Sequence, residues 1–126
     1  MKKGFTLIEG MISIVIFLIG ILGVWSYFIY SKSSLELATK KRIASQICHM
    51  RLEEVKSADY NTLANFEETN TLVKIDNLDG YRTTEVENID EDNDGKTDYK
   101  KIIVKVNWTQ NGKDQKIELI CFISPY

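Results

Sequence analysis

Residues 4–30 read G-F-T-L-I-E-G-M-I-S-I-V-I-F-L-I-G-I-L-G-V-W-S-Y-F-I-Y, with Glu9 as the only acid or base apart from phenols. A run of this length exceeds the about 18 to 20 apolar residues that carry a helix across a bilayer at about 1.5 Å per residue. The chain is expected to be held in a membrane. Glu9 is the one residue that anchoring leaves unexplained, because a carboxylate in hydrocarbon costs a few kcal/mol and needs a partner. No other side chain of the span carries an opposite charge, so a free α-amine on a second copy of the chain is the best candidate.

The flank supplies a route to such an amine. Met1-Lys2-Lys3-Gly4 is a short basic leader ending in a small residue, and it precedes the apolar run. A secretory signal is cut beyond its apolar region, so the order here is the reverse of that design. The string K-K-G-F-T-L-I-E closely resembles the class III leader of type IV pilins and type II secretion pseudopilins. The resemblance implies cleavage by a prepilin peptidase between Gly4 and Phe5, N-methylation of Phe5 by the same enzyme, and use of Phe5 and Glu9 in subunit assembly. Its implied partners are other pilins or pseudopilins in a helical filament, an inner-membrane assembly platform, and lipid before assembly. It also implies a single pass of the inner membrane with the head outside the cytoplasm, then an extracellular or periplasmic filament. I-F-L-I-G-I-L-G over residues 16–23 looks like the matching segment of PilV-like minor pilins and I-type pseudopilins. The chain departs from the family at Gly10, where an apolar residue is usual, and in having no proline within the apolar helix; its only proline is Pro125. A continuous helix is expected, softened at most at Gly20 and Gly23.

At 126 residues there is room for one small head on a stalk. The expected organisation is a leader over 1–4, an apolar assembly helix over 5–30, an amphipathic continuation over 31–59 and a β-sheet head over 60–126. The expected class is α+β and pilin-like, a long N-terminal helix packed by its second half on a small antiparallel sheet. Processing would take away Lys2 and Lys3, so the 16 basic side chains become 14 against 18 acidic, a balance of −4. That balance makes nucleic acid an unfavoured partner without excluding it, since Lys40, Lys41 and Arg42 form a local cluster.

Within the continuation, 3.6-residue spacing puts Leu37, Ala44, Cys48, Leu52 and Val55 on one side, with Ile47 at its margin. Lys41 and Arg51 fall near that stripe, and Arg51 is expected to snorkel to its edge. His49 lies beside it as a surface residue. Residues 60–70 read as a polar connector in which Ala64 and Phe66 tuck under the head. Residues 71–75 read as a strand, residues 77–80 (N-L-D-G) as a turn, and residues 81–89 as a strand near an edge. Asn111-Gly112 is the favoured two-residue hairpin loop, and it pairs Val106 with Ile117, Val104 with Leu119 and Ile102 with Cys121, making one face apolar on both strands.

Two further features carry chemistry. Cys48 and Cys121 both face the helix-sheet interface, where they form either a cross-link or two buried thiols. Asp90, Asp92 and Asp94 followed by Gly95 match the first positions of a D-x-D-x-D-G calcium loop, with the Lys96 carbonyl and Asp98 completing an oxygen set for Ca2+. Lys101 stands where a full EF-hand has its bidentate Glu, so the competing reading is a solvated acidic loop. No nucleophile-base set or phosphate loop is visible, and the expected role is structural and not enzymatic. The alternative is a pilus-surface binding module for DNA uptake or adhesion, using the Lys40 cluster or Trp108 and tyrosines.

Overall fold

The computed structural model describes residues 4–125, so Met1, Lys2 and Lys3 of the leader lie outside the described residues. One helix, α1 (Leu7–Lys56), runs through Gly20 and Gly23 without a break. It is followed by a short 3₁₀ helix (Tyr60–Phe66) and four strands, β1 (Glu68–Ile75), β2 (Leu78–Ile89), β3 (Tyr99–Gln110) and β4 (Lys113–Ile123). The chain divides into two compact units at residues 37 and 38.

In the first unit, the side chains of residues 11–30 are all exposed, as a helix without a protein partner must leave them. The two serines within residues 11–30 are satisfied locally: Ser13 Oγ donates to the Glu9 carbonyl at 2.8 Å and Ser26 Oγ to the Leu22 carbonyl at 2.9 Å. Neither hydroxyl therefore needs water, which suits a helix in lipid.

In the second unit, the rest of α1 packs on an antiparallel meander of order β1-β2-β3-β4. The core joins Ala44, Cys48, Leu52 and Val55 of α1 to Leu63, Ile75, Ile102, Val104, Val106 and Trp108. Burying apolar area of this kind contributes about 25 cal/mol per Å². The final hairpin has the expected register, Val106 opposite Ile117, Val104 opposite Leu119 and Ile102 opposite Cys121. Asn111 and Gly112 both take positive φ, 52° and 73°, as a type I′ loop demands.

Several expectations are corrected here. β2 lies between β1 and β3 and not at an edge. The first hairpin turns at Asp76 and Asn77, and Gly80 is a buried strand residue. A Cβ there would come within 2.6 Å of Ile75 Cδ1 and 3.0 Å of the Asn107 carbonyl, so only glycine lets these strands approach. In the connector Leu63 is the buried residue, while Ala64 is exposed. α1 ends at Lys56, and Asp59 caps the 3₁₀ helix by accepting the Asn61 N–H at 3.0 Å.

Candidate functional site

The N-terminal site is built by the first turn of α1. Thr6 is the residue before the helix and Glu9 is its third position, so T-L-I-E forms a capping box. The Glu9 N–H donates to Thr6 Oγ1 at 3.3 Å, and Glu9 Oε2 accepts from the Thr6 N–H at 3.5 Å and from the Thr6 hydroxyl at 3.4 Å. The carboxylate also lies at the positive end of the helix dipole. Glu9 thus has a local partner that the lone-acid reading overlooked, although the Thr-x-x-Glu spacing signals it. These contacts are long for hydrogen bonds and leave oxygen lone pairs free for a cation. Gly4 and Phe5 precede the helix in irregular backbone, and Phe5 is 76% exposed.

The acidic loop joins β2 to β3. One carboxylate oxygen from each of Asp90, Asp92 and Asp98 lies within 4.8 Å of the others. Asp94 is not in this group; its Oδ1 accepts the Lys96 N–H at 2.7 Å, and its own N–H donates to Asp90 Oδ1 at 3.3 Å and Asp92 Oδ1 at 3.2 Å. Gly95, at φ 85°, donates its N–H to Asp90 Oδ2 at 3.0 Å, and the Glu91 N–H donates to Asp98 Oδ2 at 2.8 Å. The expected set of four aspartates therefore becomes three converging acids already turned onto backbone donors. Hard oxygens in this arrangement suit Ca2+ in part. Tyr99 closes the loop by donating to Glu91 Oε1 at 2.7 Å, and that bond, then burial and the Glu91 and Asp98 charges, raises its phenol pKa.

The cysteines are free thiols in this structure. Cys48 is buried with Sγ 3.9 Å from the Val104 carbonyl, while Cys121 is half-buried with Sγ 3.7 Å from the Phe122 carbonyl. The basic cluster is divided. Lys40 is buried, 6% exposed, and pairs with Asp76 at 3.5 Å, whereas Lys41 and Arg42 are exposed. Trp108 is 3% exposed, so neither it nor Lys40 offers the surface contact expected of a binding module. His49 is exposed, as expected.

Sequence reading missed one polar centre in the head. A bulge in β1, where three steps from Glu68 to Thr71 oppose two from Thr84 to Arg82, turns Glu68 to the helix-facing side. There its carboxylate pairs with Arg82, accepts from Thr84 Oγ1 at 2.9 Å and lies 3.5 Å from Arg51 Nε. Arg51 reaches the edge of the packed region as expected, where its Nη1 donates to the exposed Glu54 carboxylate at 2.7 Å. It also donates to the Phe66 carbonyl at 3.0 Å and sits over the Phe66 ring. Burial acts to raise the Glu68 carboxyl pKa, but the Arg82 and Thr84 hydrogen bonds and the two guanidinium charges outweigh it and hold it below the usual range.

No curated protein and no solved structure matches the chain. Residues 1–25 match the family model of the prokaryotic N-terminal methylation motif, the signature of type IV pilin-like proteins.

Proposed function

We propose that this chain is a structural subunit, a minor pilin or pseudopilin, of a type IV pilus or type II secretion filament. The observation that carries the reading is the methylation motif over residues 1–25, whose residues 7–25 lie on an exposed apolar helix. Prepilin peptidase cuts between Gly4 and Phe5, where the backbone is not yet helical and a protease can engage it. The released Phe5 amine is methylated and keeps its positive charge. In the filament, apolar helices exchange lipid for one another, and Glu9 of one subunit meets the Phe5 amine of a neighbour, setting their axial register. Charge-assisted hydrogen bonds of this kind are about twice as strong as neutral ones.

Glu9→Gln tests the pairing cleanly, because glutamine also serves in a capping box and only the charge is lost. The variant is expected to stay in the membrane and to enter filaments less. Incorporation equal to that of the parent chain would sink the assembly role. A purified product that still begins at Met1 in cells with active peptidase would sink the processing step.

The acidic loop is proposed to bind Ca2+ through Asp90, Asp92 and Asp98, with Asp94 and Lys96 shaping the turn. The expected outcome is a higher Tm at about millimolar calcium, the affinity range of extracellular calcium modules. Asp92→Ala should abolish the rise, and an unchanged Tm of the parent chain with calcium contradicts the site.

A further inference from the structure

We infer that residues Trp25 to Lys32 form a girdle at the lipid headgroups that sets the depth of α1 in the bilayer, and that Glu9 stands at the opposite hydrocarbon boundary. Trp25, Tyr27, Phe28 and Tyr30 are all exposed. At 100° per residue they project at roughly 0°, 200°, 300° and 140° around the helix, which is every side of it. A helix built to dock one protein partner concentrates its aromatics on one face, whereas a headgroup layer surrounds the helix and suits rings placed all round. Lys32, exposed and the first cation after the apolar run, closes the end of a groove lined by Gly20, Val24, Trp25 and Phe28, and a lysine at that position holds its stem on apolar surface while its ammonium stays with the headgroups.

The spacing fixes the other boundary. Glu9 precedes Phe28, at the middle of the girdle, by 19 residues, about 28 Å along the axis, against a hydrocarbon core of about 30 Å. Phe17 stands close to the midpoint between them, so Glu9 is about 14 Å from the middle, at the edge of the core. Side chains of an α-helix lean toward its N-terminus, which carries the Glu9 carboxylate toward the headgroups on that side. In the membrane Glu9 is therefore hydrated at little cost, and its need for the Phe5 amine arises on transfer into a filament. This deepens the proposed function and rests on α1 being a membrane anchor.

The test places the full chain in phosphatidylcholine vesicles whose acyl chains carry bromines either near the headgroup or near the chain end, and reads loss of tryptophan emission. Trp25→Phe, which keeps Trp108, supplies the background from the head. Trp25 is expected to lose more emission to the shallow bromines. In the Trp25→Phe background, Ile8→Trp should behave like Trp25, and Phe17→Trp should lose more to the deep bromines. Stronger deep quenching of Trp25 or of the tryptophan at position 8 overturns the depth assignment. Failure of the chain to float with the vesicles overturns the anchor itself, a separate result.

Discussion

Glu9 and Glu68 are both acids set among apolar residues, and they find their partners at opposite ranges. Glu9 closes on Thr6, three residues away on its own helix. Glu68 closes on Arg51, Arg82 and Thr84, which reach it from α1 and β2. The apolar half of α1 must stay satisfied before it has any protein neighbour, so its Thr, Glu and Ser side chains all bond within a turn. The head has neighbours once it folds, and its polar centre depends on them. Losing one member of each pair should therefore have very different consequences.

The largest contrast is expected from Glu68→Ala. It leaves Arg51 and Arg82 without their shared carboxylate in a site where Glu68 is only 15% exposed, and breaking such a partly buried pair costs about 3 kcal/mol. Urea unfolding of the detergent-solubilised chain measures it, and Glu9→Ala should leave that head transition in place. Equal losses from the two variants would refute the contrast. The pH dependence has a fixed sign. Because the folded Glu68 value is lowered, its contribution is complete above the ordinary carboxylate pKa and is lost as pH falls through the folded value. Glu68→Gln should flatten that acid limb.

A smaller effect separates the two thiols. Burial pushes the Cys48 pKa up to about 11, with the Arg82 charge pulling weakly the other way. A raised thiol pKa means that its contribution is complete below the usual thiol value and is lost as pH rises through about 11. At neutral pH iodoacetamide should label half-buried Cys121 first and Cys48 only on unfolding. Comparable rates would show that the head opens around Cys48, and a mass that rises on reduction would show a bridge.

Legibility in the sequence follows the same division between near and far. The apolar span, the Asn111-Gly112 hairpin and the core stripe of Ala44, Cys48, Leu52 and Val55 were readable, since each depends on spacing within a few residues. The Glu68 centre was not, because a one-residue bulge decides which way Glu68 faces and no local pattern marks it. Lys40 illustrates the same limit. Helix spacing singled out Lys41, yet Asp76, 36 residues away, draws Lys40 into the packed region. In the acidic loop the ligand-type spacing was visible, but backbone N–H groups competing for the same oxygens took Asp94 out of the cluster.

The smallest effect sharpens the near side of the contrast. Thr6→Ala removes the hydroxyl that accepts the Glu9 N–H and leaves Glu9 with one backbone donor in place of a reciprocal box. Loss of an N-cap side chain costs about 1 kcal/mol. The cost should appear only in the first turn, as faster amide exchange at Leu7 to Gly10 in detergent micelles, while Thr6→Ser retains protection. Because Glu9 then holds the helix end less well, its carboxylate is freer to reach an incoming amine, so the filament pairing should survive. If exchange speeds up in the head as well, the first turn is coupled to the distant fold and the separation of near from far partners fails.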